Sequence, residues 1–341
     1  MSKISDIGVD LGTSNVLIYR KDKGVVLREP AVVAVDRSTN TVLAVGSEAY
    51  RMIGRTPGNV TTIRPLRNGG VADFDMLNTM LRHFVTMALT KKPLVARPRA
   101  IISIPSGVNE VEKRSIMSVM FEAGTKKTQL LERPIAAALG VGIDFTNSYG
   151  AMIVDLGAGM TDIAVLGTGE VVVSSSVTIG GDYFNDAIIR YLRKKHNLLI
   201  GERTAEELKI NIGSAVPQTN DVPMEITGRN LVSGMPKTQI VTTSEVCEAL
   251  QEPIGELIDA IQGVIERTPP QLASDIFEQG IVLTGGGAAL TGLAEAIYNV
   301  LSIPCGVADD PQACVAVGCG MALENSLLMK NLLEQSKHRW K

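Results

Sequence analysis

Val9-Asp10-Leu11-Gly12-Thr13-Ser14-Asn15 and Val154-Asp155-Leu156-Gly157-Ala158-Gly159-Met160-Thr161-Asp162 are two copies of one short pattern, and their reading decides the fold. In each, an apolar run (Ile7 to Leu11, Met152 to Leu156) passes through an Asp into a turn of glycine and small residues. It then resumes as a second apolar run (Val16 to Tyr19, Ile163 to Leu166). Such a pattern predicts two β-hairpins, each with an Asp at its turn. Glycine and hydroxyl residues let backbone N–H groups approach and cradle a phosphate, while a carboxylate beside them can hold a hydrated Mg2+. An ordinary hairpin whose Asp and Gly serve only the turn would explain one copy equally well. Each copy, however, opens a similar half-chain, so internal duplication explains the pair better and predicts two pseudo-equivalent domains facing across a cleft.

Composition agrees with that expectation. The 341 residues are 45% hydrophobic, enough for one large or two moderate cores. Lys and Arg number 33 against 36 acidic residues, and the net charge of −3 argues against a nucleic-acid binder. No run approaches the ~18 apolar residues of a spanning helix, and Met1 to Asp6 leads into the first strand too soon for a signal peptide. A cytoplasmic protein is expected. Cys247, Cys305, Cys314 and Cys319 lack Cys-x-x-Cys spacing and read as reduced structural thiols. His83, His196 and His338 have no partner at ligand spacing, so none is expected to hold a metal.

Along the chain, Gly24 to Val45 reads as hairpins that continue the first sheet, and Arg51 to Gly70 as a loop-bearing insertion. Met76 to Leu89 has helical apolar spacing, and Ala100 to Ile104 reads as a buried strand. A helix follows from about Asn109 to Ala123, with Asn109 and Glu112 spaced as a capping box and Gly124 as terminator. After a short strand, Gln129 to Leu131, the small-residue helix Ile135 to Gly142 would let two domain-linking helices cross closely and form a hinge. In the second half, Ser174 to Ile179 extends the sheet and Gly180-Gly181-Asp182 opens a helix through Lys195. A polar segment from about Asp182 to Thr243 reads as a second insertion. A helical stretch, Ser244 to Arg267, leads to the buried strand Gly280 to Thr284. Asp310 and Pro311 would start a final helix from Gln312 to about Leu333.

Two further stretches suit a nucleotide. Ile281 to Leu290 is a buried strand, the triple glycine Gly285-Gly286-Gly287, then an expected helix from Ala288, where close backbone approach to a base or ribose is possible. In Gly201 to Lys209, Thr204 and Glu207 are spaced as a capping box, which assigns Glu207 mainly to structure. Glu206 and Lys209 share a helix face, where they form either a surface ion pair or contacts to ribose and adenine.

These residues together resemble one family. Over essentially its whole length the chain resembles the actin, sugar kinase and heat-shock chaperone ATPase superfamily, and within it the MreB/Mbl family of bacterial actin homologues. The motifs that carry the likeness are Asp10 to Asn15, Gly54-Arg55-Thr56-Pro57-Gly58-Asn59, Ile63-Arg64-Pro65-Leu66, Asp155 to Asp162, Gly201 to Glu206, Glu266-Arg267-Thr268-Pro269-Pro270 and Leu283 to Gly287. The resemblance implies an α/β, actin-like ATPase fold of two duplicated domains, four subdomains in all, around a nucleotide cleft. Domain I would comprise residues 1–145 plus 311–341, with subdomain IB at about 30–65. Domain II would be 146–310, with subdomain IIB at about 182–243.

The resemblance also implies ATP with Mg2+. Gly12, Thr13, Ser14 and Asn15 would hold the β- and γ-phosphates from one side and Gly157, Ala158 and Gly159 from the other. Asp10 and Asp155 would order the metal's waters as the catalytic carboxylates. Gly285, Gly286, Gly287 and Ala288, with Glu206, Glu207 and Lys209, would hold the nucleoside. It implies membrane-associated filaments at the inner face of the cell membrane, built from this chain and its paralogues, that organise cell-wall synthesis with elongation membrane proteins and maintain rod shape.

The chain departs from the family's pattern on the hydrolytic side. Where the family has Glu-Glu-Pro, this chain has Glu132-Arg133-Pro134, and a guanidinium has no acceptor to align a water for in-line attack. Glu132 lies one residue earlier, where an extended backbone turns it to the opposite face. Met160 stands where the family has Thr and removes a hydroxyl near the γ-phosphate. With the binding glycines and both Asps kept, the expectation is that ATP is bound well and hydrolysed slowly or not at all.

Pro93 to Ala96, flanked by Lys91, Lys92, Arg97 and Arg99, resembles a loop that inserts into membrane in some members of the family, so membrane contact is expected from Leu94 and Val95; a solvated loop before a strand fits the same residues equally well. Two apolar side chains contribute a few kcal/mol, and each basic neighbour ~1 kcal/mol near anionic lipid, so attachment should depend on polymerisation. Two other function classes share this fold. A small-molecule kinase of this fold needs a carboxylate base in the cleft, which Arg133 disfavours. A chaperone ATPase needs a substrate-binding domain that this sequence does not contain. A nucleotide-binding scaffold paralogue that co-polymerises with a hydrolysing relative is the alternative within the filament class.

Overall fold

The first repeated segment forms the expected hairpin: β1 (Ile7–Leu11) pairs antiparallel with β2 (Asn15–Arg20), Leu11 opposite Val16, so that Gly12 to Ser14 make the turn. The coordinates are a computed structural model that describes residues 6–55, 58–89 and 97–324. The sheet continues antiparallel into β3 (Gly24–Pro30). The chain then leaves it for a small sheet of β4 (Val33–Asp36), β5 (Thr41–Val45) and, after α1 (Ser47–Arg51), β6 (Val60–Ile63), ordered β5-β4-β6. The segment read as loop-bearing thus carries regular structure, including a tight hairpin of β7 (Leu66–Arg67) and β8 (Gly70–Val71).

Helix α2 (Phe74–Leu89) buries Leu77, Met80, Leu81, Phe84 and Val85, the 3.6-residue stripe the sequence carries. It is followed by β9 (Arg99–Ile104), α3 (Glu110–Glu122), β10 (Lys127–Glu132) and α4 (Arg133–Gly140). The capping box on α3 is present as expected, with the Asn109 side chain accepting from Glu112 N and Glu112 accepting from Asn109 N. The first large sheet has the order β10-β9-β1-β2-β3, with β9 and β10 parallel to β1.

The second half rebuilds the same sheet. β11 (Ala151–Leu156) and β12 (Thr161–Gly167) form the second hairpin, and β13 (Glu170–Val177) extends it. Then come α5 (Gly181–His196), β14 (Leu198–Leu199), α6 (Glu202–Ile212), β15 (Pro223–Asn230) and β16 (Pro236–Thr242), whose strands form the three-stranded sheet β14-β15-β16. The chain returns through α7 (Thr243–Glu266), α8 (Pro270–Gln279), β17 (Ile281–Thr284), α9 (Leu293–Leu301), β18 (Cys305–Val307) and α10 (Cys314–Glu324). Reading inward from its parallel edge, this sheet runs β18-β17-β11-β12-β13, the counterpart of β10-β9-β1-β2-β3. Antiparallel hairpins followed by two parallel crossover strands therefore occur twice, as the duplication predicts.

Each sheet has its own core, around Ile7, Val9, Ile18 and Phe84 in one and Val154, Ile163, Phe184 and Leu257 in the other. A third cluster, of Ile101, Ile135, Ala136 to Ala138, Ile153, Ala164, Val315 and Cys319, packs between the sheets. Here α4 and α10 cross closely because their facing residues are glycine: a Cβ at Gly140 would overlap the Cys314 carbonyl, and one at Gly318 the Ala136 carbonyl.

Three local expectations are corrected. α6 starts at Glu202 with Gly201 as N-cap, so Thr204 and Glu207 form no capping box; Glu207 instead accepts from Arg203 Nε at 3.0 Å, one turn away. The triple glycine opens not a regular helix but a four-residue 3₁₀ turn, Gly286–Ala289, with α9 beginning only at Leu293. The last helix starts at Cys314, two residues later than expected, and its expected continuation to Leu333 lies outside the described residues. Leu94, Val95 and His338 also lie outside them. Among the described residues no helix is long and apolar enough to cross a membrane, and no cluster of His, Cys, Asp and Glu could hold a metal ion. The four cysteines are free thiols, with burial pushing Cys314 up to about 11 and Cys305 to about 12.

Candidate functional site

Both hairpin turns open onto one cavity of about 300 Å3 between the two halves of the chain. The turns are built alike: Gly12 N donates to Asn15 O at 3.1 Å, and Gly157 N to Met160 O at 2.9 Å. The first must be glycine, since a Cβ at Gly12 would lie 2.6 Å from Asn15 O. The second turn is pinned on the start of α5, where Gly181 N donates to Gly157 O and Asp182 N to Ala158 O. Gly12, Thr13, Ser14 and Asn15 line one wall of the cavity, and Gly157, Ala158, Gly159 and Met160 the other. The walls nearly touch at one edge, where a Cβ at Gly159 would fall 2.6 Å from Thr13 Oγ1.

Asp10 and Asp155 also line the cavity, and each is held by a hydroxyl from the parallel strand beside it. Ser103 on β9 donates to Asp10 at 2.8 Å, and Thr284 on β17 donates to Asp155 at 2.8 Å. Sequence reading missed this second duplicated pair, because which strand lies beside β1 or β11 is a long-range fact. Burial pushes both carboxyls up, Asp155 to about 7, against the opposing pull of Arg133.

Arg133, the first residue of α4, is 5% exposed and faces the same space. Its Nη2 donates to the Leu11 carbonyl at 2.9 Å. The guanidinium lies among three carboxylates: Nη2 is 3.8 Å from Asp10 Oδ1, Nε 3.9 Å from Asp155 Oδ2 and Nη1 3.8 Å from Asp162 Oδ2. Arg133 Nε and Asp162 Oδ2 have no hydrogen-bond partner among the described residues. Burial works against the charged guanidinium, but the three carboxylates outweigh it and hold its pKa above the ordinary arginine value. Asp162 is fixed from its other side by the Ser176 hydroxyl and, at 3.4 Å, by Ser106 N. Glu132 is absent from the cavity lining, as its position on the opposite face of the extended backbone predicts.

At the other end of the cavity Glu206 and Lys209 are at once an ion pair and part of the lining. Lys209 Nζ donates to Glu206 at 2.7 Å and to Gly181 O at 3.0 Å, and Asn185 donates to Glu206 at 2.6 Å. Ile210, one turn after Glu206 on the same face, adds an apolar wall together with Leu290. The i, i+4 spacing from Glu206 was visible in the sequence and would have found it. Gly285, Gly286 and Gly287 line the cavity; Ala288 and Glu207 do not. Leu156 alone already requires two of the three to be glycine: Gly285 has φ +81°, and a Cβ on it or on Gly287 would overlap Leu156. Gly286 faces the open space, with Gln312 Nε2 3.5 Å from where its Cβ would be.

Two further contacts are made by Asp182 and Met160, which line the cavity, to residues outside its lining. Arg64 reaches Asp182 and Glu202, each at 3.5 Å, from the small β5-β4-β6 sheet side to the α5–α6 side. Met160 packs on Gly69 so closely that a Cβ there would overlap its sulfur.

Comparison with known proteins agrees with this architecture. The MreB/Mbl protein family model matches residues 4–331. The cell shape-determining protein Mbl of Bacillus subtilis (strain 168) is 46% identical over 320 residues, 94% of this chain and 96% of that protein. The cell shape-determining protein MreB of Escherichia coli (strain K12) is 46% identical over 324 residues, 94% of this chain and 93% of that protein. Among solved structures, MreB5 of Spiroplasma citri bound to ADP superposes with a TM-score of 0.89 at 35% identity, covering 94% of this chain and 96% of that one. The AMPPNP-bound crystal structure of the same protein gives 0.90 at 34% identity, covering 98% and 100%. With an actin-like duplicated fold, one cavity between its two hairpin turns and these relatives over nearly its whole length, the chain belongs to the MreB/Mbl family.

Proposed function

We propose that this protein binds ATP in the cavity between its hairpins and assembles into actin-like filaments that lie on the inner face of the cell membrane, organise cell-wall synthesis and maintain rod shape. The observation that carries the nucleotide reading is the convergence of two like-built glycine turns on one cavity whose far end is walled by Glu206, Lys209 and Gly286. Support also comes from the MreB5 structures, bound to ADP and to AMPPNP. Support for the cellular role comes from relatives named cell shape-determining proteins.

In this reading the turns Gly12 to Asn15 and Gly157 to Gly159 hold the β- and γ-phosphates with the backbone N–H groups that follow Gly12 and Gly157, whose own N–H groups close the turns, and with the Thr13 and Ser14 hydroxyls. Glu206, Lys209 and Gly285 to Gly287 receive the nucleoside, with Ile210 and Leu290 against the base. Glu207 and Ala288, which stand off the cavity, take no direct part. The division into domain I (1–145 plus 311–341) and domain II (146–310) follows the two sheets, with α10 packed on α4 and β1 of the first.

Hydrolysis is slow or absent. Arg133 and Met160 both line the cavity, and neither offers a strong acceptor to orient an attacking water. The remaining carboxylates near the turns, Asp10, Asp155 and Asp162, face the Arg133 guanidinium. The same arrangement disfavours a small-molecule kinase, which needs a free carboxylate base. It favours, as a second reading, a scaffold paralogue that co-polymerises with a hydrolysing relative; cell-wall elongation membrane proteins are the expected partners of the filament in either reading.

The residues present do not fit a closely held Mg2+ at Asp10 and Asp155, because the guanidinium already lies within 4 Å of both carboxylates, at 3.8 and 3.9 Å. Membrane attachment through Leu94 and Val95 is tested by liposome co-sedimentation of the Leu94→Ser, Val95→Ser variant, which should stay in the supernatant. Electron microscopy of the pure protein with ATP should show filaments. Single-turnover phosphate release should be far slower than in the Arg133→Glu variant; equal rates would contradict the assignment of Arg133.

A further inference from the structure

A cation already stands among the carboxylates of the cavity. Arg133 is 5% exposed, and its guanidinium lies 3.8–3.9 Å from the carboxylates of Asp10, Asp155 and Asp162 without hydrogen-bonding any of them. Of its five N–H donors one is used on the Leu11 carbonyl, and Nε has no partner among the described residues. The side chain starts from the first residue of α4, which is followed by Pro134 and set among the buried residues Leu131 and Ile135. A buried guanidinium with donors unspent, on the wall of a cavity whose two turns suit phosphates, is chemically a phosphate ligand.

Mg2+ in nucleotide sites is usually held by one or two carboxylates together with the phosphates, and it keeps several waters. Here the two carboxylates available for that, Asp10 and Asp155, share their field with Arg133. A divalent ion between them would sit beside a like charge in a buried setting, where repulsion is little screened. Arg133 offers the polyphosphate one fixed positive charge and several N–H donors from within the chain, where the metal would bring two charges and its waters.

We propose that the Arg133 guanidinium takes the place of the divalent metal in this protein, donating to the polyphosphate directly, so that the nucleotide is held without divalent cation. The proposal rests on the reading of the cavity as a nucleotide site. It gives this chain a polyphosphate subsite built from Arg133, Gly12 to Asn15 and Gly157 to Gly159. The three surrounding carboxylates position the guanidinium rather than a metal.

The test is equilibrium binding of a fluorescent ATP analogue to the full-length protein, with millimolar Mg2+ and with excess EDTA, for the unmodified protein and for Arg133→Glu. The unmodified protein should change its Kd by less than about threefold on chelation. Arg133→Glu, which turns the internal cation into a carboxylate, should bind about tenfold or more weakly without Mg2+ than with it. An unmodified protein that loses about tenfold or more on chelation overturns the proposal and leaves the nucleotide reading standing. Absence of binding under both conditions overturns the nucleotide reading itself. The chelation comparison needs no variant, so a poorly folding Arg133→Glu protein does not blunt it; Arg133→Lys, which keeps the charge, should remain indifferent to Mg2+, and a large Mg2+ requirement in it would count against a charge-based role.

Discussion

Replacing Arg133 by Met keeps most of the side-chain volume and removes the charge that Asp10, Asp155 and Asp162 share. At 3.8–3.9 Å each ion pair amounts to about 4 kcal/mol of attraction at an effective dielectric of ~20. Most of that sum offsets the desolvation of the four groups, so the measurable loss is that of breaking a buried pair, about 3–5 kcal/mol. At about 2–4 °C per kcal/mol for domains of this size, the melting temperature should fall by roughly 6–20 °C. The loss should depend on pH with a definite sign. Burial has already pushed Asp155 from the ordinary 3.8 up to about 7, so between those values the folded state binds a proton that the unfolded chain releases, and stability at this site falls as pH rises. Without Arg133, which pulls the Asp10, Asp155 and Asp162 carboxyls down, all three rise further and the window widens toward higher pH. The gap between the unmodified protein and the variant should therefore be large at pH 8 and small at pH 5, where the variant's carboxyls take up protons. Thermal melts followed by circular dichroism at both pH values measure it. Equal gaps at the two pH values, or no gap at pH 8, would refute the account of Arg133 as the shared counter-charge.

Gly287→Ala should destabilise by about 1–3 kcal/mol, because its Cβ would overlap the Leu156 side chain, and should weaken ATP binding by displacing the turn that lines the cavity; a denaturant titration and a nucleotide titration check the two effects. Asn109→Ala removes one half of the α3 capping box and should cost about 0.5–2 kcal/mol in the same denaturant titration while leaving nucleotide affinity unchanged, since α3 contributes nothing to the cavity.

What the sequence disclosed and what it hid divide along a physical line. Hairpin turns and caps are decided within a few residues, so Gly12 and Gly157, the stripe of α2 and the Asn109–Glu112 box could all be read directly. The duplication was legible because the same local solution recurs. The hydroxyls that hold Asp10 and Asp155 were not, since Ser103 and Thr284 arrive on strands that pair only after a crossover. That Gly285 and Gly287 also make room for Leu156 was hidden as well, since Leu156 comes from a strand far away in sequence. At α6 two starts competed, and the helix takes Gly201 as its N-cap, leaving Thr204 inside the first turn. Arg133 was visible as a departure from the family's Glu-Glu-Pro, but the ring of three carboxylates that gives it a role exists only once both halves of the chain have closed on each other.

The central claim, a polyphosphate gripped by two duplicated turns, is tested most directly by a crystal structure of this protein grown with AMPPNP. The phosphates should lie between Gly12 to Asn15 and Gly157 to Gly159, with Arg133 within hydrogen-bonding distance of a phosphate oxygen and the base beside Glu206 and Ile210. A nucleotide bound elsewhere, or a cavity that stays empty at saturating AMPPNP, would contradict it.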